Sequence, residues 1–215
     1  FTDALERAQA LGDRLAVARV YVELGILAYE AGDLISAQQY AEDELVLWQQ
    51  LRLESASASA QQRMGDIALA RGDLEDAYRW YAASLKTFAD NMWAHLGAGR
   101  VADEKGDDAL AIDHYRRAVR LVLQSRGLRF QPETPAALKA LIGFARVQTR
   151  RGDFAEAAET LGTVLTDATL HRHMRAEAES LLAQLREALP ADQLEVALAQ
   201  GRQRSLDAVL ESFVS

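Results

Sequence analysis

The side chains best suited to chemistry in this sequence are four histidines and several groups of neighbouring carboxylates. His171 and His173 are two residues apart, so on a helix their rings point about 200° apart, and only an extended segment would let them share a metal ion. The sequence has no His-Glu-x-x-His motif and no cysteine, which excludes thiolate metal sites, disulfides and cysteine nucleophiles. We therefore predict no metal site and no cofactor.

The neighbouring carboxylates, Glu42-Asp43-Glu44, Asp103-Glu104 and Asp107-Asp108, are typical of helix surfaces and helix caps. A general acid–base pair requires a pocket that perturbs the pKa values of its members, and no serine nucleophile elbow is present either. His114 occupies a position that packs against a neighbouring helix, which favours a structural role. We predict no catalytic residue and expect that the chain is not an enzyme.

Four of the Gly-Asp pairs in the sequence each have an alanine five residues after the glycine. Glycine can end a helix in the left-handed conformation, and aspartate is a preferred N-cap of the next helix. Each pair therefore predicts a tight corner between two antiparallel helices. A small residue also stands seven residues before each glycine and is predicted to be buried between the helices. The glycines of the four pairs are Gly32, Gly72, Gly106 and Gly152, and the small residues are Gly25, Gly65, Gly99 and Ala145. At the last corner, Glu156 follows Asp153 as in a capping box.

The glycines of successive corners are separated by 40, 34 and 46 residues. An interval of about 34 with a Gly…Gly-Asp…Ala…Tyr pattern, as in Gly65, Gly72, Ala77 and Tyr81, resembles the tetratricopeptide repeat. The resemblance covers roughly residues 14–167. It implies an all-α fold, a right-handed α–α superhelix of helical hairpins followed by a C-terminal capping segment. Two intervals exceed 34 and the closing proline of the repeat is absent, so longer helices or looser turns are expected there.

The composition agrees with an all-α domain in a cytoplasmic protein. Hydrophobic residues make up 49% of the 215 residues, and only three prolines occur. The net charge of −8 opposes binding to nucleic acid through a general basic surface. No apolar run approaches the roughly 20 residues that span a membrane.

The order of motifs predicts three regions: the end of a preceding repeat helix in residues 1–13, four tetratricopeptide-like hairpins in residues 14–167, and capping helices in residues 168–215. Within the last region, Pro190 is predicted to restart a helix, Gly201 to end it and Ser205 to cap the final one. Two prolines and a glycine in residues 125–135 predict the longest non-helical segment, either a long turn or a binding element.

The C-terminal third carries a second resemblance, to the end of bacterial signal-transducing NTPases of the STAND class. The resemblance covers residues 14–215 and is most distinctive in 136–213. In that class a tetratricopeptide array follows an NB-ARC nucleotide-binding module, often with a DNA-binding or other effector domain, and acts as a sensor that holds the NTPase off. No nucleotide-binding residue carries over, because this chain has no glycine-rich Lys-Ser/Thr loop. The residues that carry the resemblance are 141–145, 151–158, 176–182, 189–190, 199–202 and 205–209.

The first helix of each hairpin lines the concave groove of a tetratricopeptide superhelix, so the resemblance also implies which residues face a ligand. Counting from the buried small residue of each first helix gives the predicted groove residues Arg19, Tyr29, Arg63, Asp66, Trp93, Arg100, Asp103, Arg146 and Arg150. Three of the arginines, Arg63, Arg100 and Arg146, recur at neighbouring positions. They are either ordinary solvated side chains or part of a groove suited to carboxylates and acidic peptides.

These observations predict a non-enzymatic module that binds a protein, a peptide or a small inducer in its groove. The resemblances imply that it is the sensor region of a transcriptional regulator whose parent chain contains an NTPase domain. Direct contact of this segment with nucleic acid or with a membrane is not expected. Two alternatives remain open: a free-standing scaffold that joins two proteins, and an array that encloses a small-molecule pocket.

Overall fold

The computed structural model describes residues 2–125 and 133–214, and all regular secondary structure in those ranges is α-helix. The predicted all-α fold class is confirmed. Most of the predicted non-helical segment, residues 126–132, lies outside the described residues. Helix already resumes at Glu133, so Pro135 stands in the first turn, where its missing N–H breaks no helical hydrogen bond.

The chain divides into two compact units, Phe1–Val101 and Ala102–Ser215. The first unit contains α1 (Thr2–Ala10), α2 (Arg14–Glu30), α3 (Leu34–Gln50), α4 (Glu54–Ala70), α5 (Leu74–Thr87) and most of α6 (Met92–Glu104). The second unit contains the end of α6, α7 (Asp108–Ser125), α8 (Glu133–Arg151), α9 (Phe154–Thr166), α10 (Arg172–Ala188), α11 (Ala191–Gln203) and α12 (Leu206–Val214).

The Gly-Asp pairs form the predicted corners. Gly32 and Gly72 have φ angles of 78° and 80°, in the left-handed region that favours glycine. The carboxylates of Asp33 and Asp73 then accept the N–H of the residue three positions later, over 3.1 and 2.9 Å. Each pair thus closes one helix and opens the next without a linker.

The prediction of a capping box at the last corner is wrong in one respect. Asp153 is the N-cap of α9, but its side chain accepts no hydrogen bond from that helix. Its carboxylate instead lies 3.7 Å from Nε of Arg151. The exchange of hydrogen bonds expected between Asp153 and the turn that contains Glu156 therefore does not form.

Helix length explains the unequal spacing of the corners. The 40-residue interval holds two helices of 17 residues, α3 and α4. The 34-residue interval holds shorter helices, α5 with 14 residues and α6 with 13. The corner between α3 and α4 has no Gly-Asp pair, and Arg52 takes the left-handed conformation there with a φ of 57°.

Close packing around Tyr81 joins three helices of the first unit. A β-carbon on Gly65 would lie 2.6 Å from Cε1 of the Tyr81 ring, and one on Gly97 would also overlap it. Glycine at both positions therefore lets α4 and α6 contact the ring of a fully buried tyrosine. Gly65, like the other predicted small residues, is buried.

In the second unit, α8 packs against α7 and α9, and α10 packs against α8 and α9. Helix α11 lies along α9, where a β-carbon on Gly162 would be 2.5 Å from the carbonyl oxygen of Leu198. Thr163 also donates to the carbonyl oxygen of Gly201 over 2.8 Å. The prediction that Gly201 ends its helix is wrong: Gly201 lies inside α11, at the point of closest approach to α9.

The last helix, α12, packs against α7 and α9. Its N-cap is Ser205 as predicted, and the Ser205 hydroxyl accepts the N–H of Ala208 over 3.2 Å. Phe213 packs edge-on against Phe144 with 4.5 Å between ring centroids, and Arg116 Nε donates to the Phe213 carbonyl oxygen over 3.1 Å. No helix in the described ranges has both the length and the apolar character needed to cross a membrane.

Candidate functional site

A group of polar side chains surrounds the hydroxyl of Tyr81 in the first unit. Tyr81 Oη donates to Asp66 Oδ1 over 2.6 Å, and Gln62 Nε2 donates to Asp66 Oδ2. Tyr29 and Arg100 lie close enough to act electrostatically on these groups. We call these five residues the Tyr81 cluster, and it brings side chains of α2, α4, α5 and α6 to one place.

Burial raises the pKa of both tyrosines in the Tyr81 cluster. For Tyr81 the negative charge of Asp66 adds to the effect of burial, whereas Arg100 acts in the opposite direction. For Tyr29 the order is the same, burial first and Asp66 second. Both phenols therefore remain protonated at neutral pH and can donate hydrogen bonds. Tyr29 is 41% exposed, so the cluster reaches the surface of the first unit.

Three of the nine predicted groove residues, Tyr29, Asp66 and Arg100, thus lie together in the first unit. Trp93 follows on α6 and is half-buried; its backbone N–H donates to Asn91 Oδ1 over 3.2 Å, which fixes the start of the helix. Arg19 is exposed on α2.

Arg63, another predicted groove residue, forms an ion pair with a buried carboxylate of the chain. Its Nε and Nη2 lie 2.7 and 2.5 Å from Oε1 of Glu44, whose side chain is 1% exposed. Burial raises the pKa of Glu44, although Arg63 pulls it down. The prediction that Glu42-Asp43-Glu44 lies on a solvated face is therefore wrong for Glu44.

A signal for the burial of Glu44 was present in the sequence. The residue falls on the helical stripe formed with Ala37, Ala41 and Trp48, whose spacing of four, three and four residues marks one face of a helix. All four residues are buried in the structure. Trp48 is buried together with Ala60 of α4.

A second set of ion pairs surrounds Asp103 in the second unit. Arg146 Nη1 lies 2.5 Å from Oδ2 of Asp103, and Arg150 Nη1 lies 2.7 Å from its Oδ1. Arg146 also pairs with Glu177 of α10, and Arg150 Nε donates to Asp108 over 2.9 Å. The Asp103 side chain is 1% exposed, so the prediction of a surface carboxylate is wrong here too.

These pairs change the expected character of the predicted groove residues. Arg63, Arg146 and Arg150 each neutralise at least one carboxylate of the chain, and two of those carboxylates, Glu44 and Asp103, are almost fully buried. A buried carboxylate without a counter-ion would be costly, so these arginines are needed where they are. Burial acts to lower the pKa of Arg150, but its hydrogen bonds to Asp108 and Asp103 outweigh that and raise it. The guanidinium groups of these three arginines therefore already pair with carboxylates of the chain.

The rings of His171 and His173 lie side by side, whereas on a continuous helix they would point about 200° apart. His171 is the extended N-cap of α10, and its ring stacks on that of His173 with 6.0 Å between centroids. Burial lowers the pKa of His173, and the positive charges of Lys139 and His171 lower it further. In residues 2–125 and 133–214, no three His, Asp or Glu side chains form a group able to hold a metal ion. His114 is largely buried, and burial lowers its pKa.

Comparison with known proteins identifies the fold through structure rather than sequence. No protein-family model matches the chain, and no curated protein matches it. Among solved structures, the chain is similar to the crystal structure of YrrB, described as a TPR protein with an unusual peptide-binding site. The two are 18% identical with a TM-score of 0.51, over 94% of this chain and 97% of that one. Together with the helical hairpins and their Gly-Asp corners, this similarity shows that the chain has the tetratricopeptide-repeat fold.

Proposed function

We propose that the chain is a non-enzymatic module that binds a protein or peptide on the first helices of its hairpins. The observation that carries the proposal is the Tyr81 cluster, in which Tyr29, Asp66 and Arg100 from three successive first helices meet. YrrB, which shares the fold, is described as having a peptide-binding site. We propose a binding face in the first unit that comprises this cluster, Arg19 and Trp93.

The chemistry of this face suits a peptide that offers both apolar side chains and backbone hydrogen-bonding groups. The rings of Tyr29 and Trp93 can bury apolar or aromatic side chains with little loss of conformational entropy. Hydrogen bonds to Tyr81 and Gln62 hold the Asp66 carboxylate in place before a partner arrives. An acidic partner is less favoured than the sequence indicates, because Arg63 is already paired with Glu44.

Selection from a random peptide library tests this proposal. We expect selected peptides to bind the wild-type chain and to bind the Trp93→Ala variant at least about tenfold more weakly, because aromatic anchors dominate such interfaces. Val46→Ala, which removes a 51% exposed side chain on the second helix α3, is the control and should bind as the wild type does. Equal affinity of all three proteins would contradict the proposed face.

The larger role rests on the resemblance of the C-terminal third. We propose that the module is the cytoplasmic sensor region of a STAND-type signal-transducing regulator, with an NTPase domain and a transcriptional output in the same parent chain. Residues 1–13 then end a preceding repeat, residues 14–167 form four repeats, and residues 168–215 cap them. The packing of α10, α11 and α12 on α7, α8 and α9 supports the proposed cap. The reading frame upstream tests the parent role, since a nucleotide-binding module encoded there would support it and an unrelated domain would oppose it.

A further inference from the structure

A cleft of about 310 Å³, lined by residues with polar side chains, lies between the end of α3, the start of α4 and the end of α5. Its volume is near the lower end of the range for sites that hold small ligands. The cleft involves neither the Tyr81 cluster nor Trp93. The residues that line it are Gln49, Arg52, Glu54, Ser57, Gln61 and Thr87.

One side chain in the cleft has a hydrogen-bonding group that the described part of the chain leaves unused. Oε1 of Gln61 is buried and has no hydrogen-bond partner in the described ranges. An unused buried acceptor carries a desolvation cost that a hydrogen bond to a ligand can offset. Ser57, which also lines the cleft, is only 4% exposed.

The N-terminus of α4, which lies at the cleft, has no side-chain cap. Helix α4 begins after Leu53, which supplies no side-chain cap, whereas α2, α3 and α5 are capped by aspartates. The first N–H groups of α4 therefore lack the carboxylate acceptor that those helices have, and they favour a negatively charged group.

The charged side chains define the ligand further. The guanidinium of Arg52 suits a carboxylate, and the carboxylate of Glu54 suits an ammonium group. With one side chain of each sign, the cleft favours a ligand with no net charge that carries both groups. A net anion such as phosphate would meet the charge of Glu54 without compensation.

We propose that this cleft binds a small zwitterion of the α-amino-acid type. The ligand carboxylate lies at Arg52 and the N-terminus of α4, and its ammonium group lies at Glu54 and Oε1 of Gln61. The Ser57 hydroxyl donates to the ligand carboxylate. The site is separate from the peptide-binding face proposed above, so Arg52→Gly and Trp93→Ala each test one of the two.

Titration with each of the twenty common amino acids, followed through backbone and side-chain amide NMR signals, tests this inference. We expect at least one to bind with a dissociation constant of about 1 mM or tighter, with saturable shifts at Ser55, Ser57 and the Gln61 side chain. L-lactate lacks the ammonium group and ethanolamine lacks the carboxylate, so each should bind at least about tenfold more weakly. No saturable shift with any amino acid would overturn the inference.

Two variants locate the site. Arg52→Gly removes the guanidinium and relieves the left-handed backbone at this residue, so the protein should fold at least as stably and bind at least about tenfold more weakly. Arg79→Ala, which removes a 77% exposed arginine on α5, should leave binding unchanged. Ser57→Ala should fold normally and weaken binding. Unchanged affinity in both Arg52→Gly and Ser57→Ala would overturn the assignment to this cleft.

Discussion

At the scale of single residues, three arginines on the first helices, Arg63, Arg146 and Arg150, act as counter-ions to carboxylates of the chain. Arg63 provides the positive charge next to Glu44, a carboxylate that is 1% exposed on α3. The raised pKa of Glu44 indicates that burial outweighs the attraction of Arg63. The ionised form of Glu44 is therefore tolerated only because Arg63 is beside it. The stability that Arg63 contributes should change with pH in a predictable direction.

Removal of the arginine in an Arg63→Ala variant should lower the free energy of unfolding by about 3 kcal/mol at neutral pH, because it leaves a buried carboxylate unpaired. The folded-state pKa of Glu44 lies above its ordinary value of 4.5. The folded variant therefore takes up a proton at higher pH than the unfolded chain does, and the loss should shrink as the pH falls through that window. Urea denaturation at pH 7 and at about pH 5 measures both values.

Arg79→Ala is the matched control for this experiment. The Arg79 side chain is 77% exposed and pairs with Asp76 on the same helix, so its loss should change stability by less than about 1 kcal/mol at either pH. An Arg63→Ala variant whose loss is the same at both pH values would show that Glu44 is not the group responsible.

At the scale of helices, the corners and the small residues that pack beside them were predictable. Gly32 and Gly72 have the left-handed conformation that a Gly-Asp corner needs, and Gly65 is buried against Tyr81. These features depend on local backbone geometry and on side-chain volume. Both follow directly from the identity of the residue. The corner at Arg52 was not predictable in the same way, because an arginine seldom takes a left-handed conformation and gives no turn signal.

The candidate site was predictable only in part, because contacts between helices decide it. The positions of Tyr29, Asp66 and Arg100 on first helices followed from the repeat pattern. These three side chains come together at the Tyr81 hydroxyl because α5 places the Tyr81 ring between neighbouring helices. The repeat pattern of the sequence does not predict that placement. The pairing of Arg63 with Glu44 joins residues 19 positions apart, and its local signal was one helical stripe on α3.

The contact between α9 and α11 gives a prediction at this scale. A β-carbon on Gly201 would overlap the carbonyl group of Glu159 in the backbone of α9, which cannot move as a side-chain end can. Gly201→Ala should therefore lower the free energy of unfolding by about 1–3 kcal/mol. Val196→Ala, at a 58% exposed position of α11, should change it by less than about 0.5 kcal/mol. Equal thermal denaturation midpoints for the two variants would contradict the close packing described.

At the scale of the whole molecule, the chain has a tetratricopeptide-repeat fold, a net charge of −8 and its proposed binding face in the first unit. The fold by itself leaves the choice of face open, because both helices of a hairpin expose side chains. The Tyr81 cluster favours the first helices, since hydrogen bonds hold its polar groups in fixed positions and Tyr29 reaches the surface.

The most direct test of the proposed face is an NMR titration of the wild-type chain with a peptide selected for binding. We predict the largest shifts at the Trp93 indole N–H and at the amides of Tyr29, Asp66 and Arg100, all saturating at the same peptide concentration. Shifts confined to the second helices α3 and α5, with the Trp93 indole signal unchanged, would contradict the proposed function.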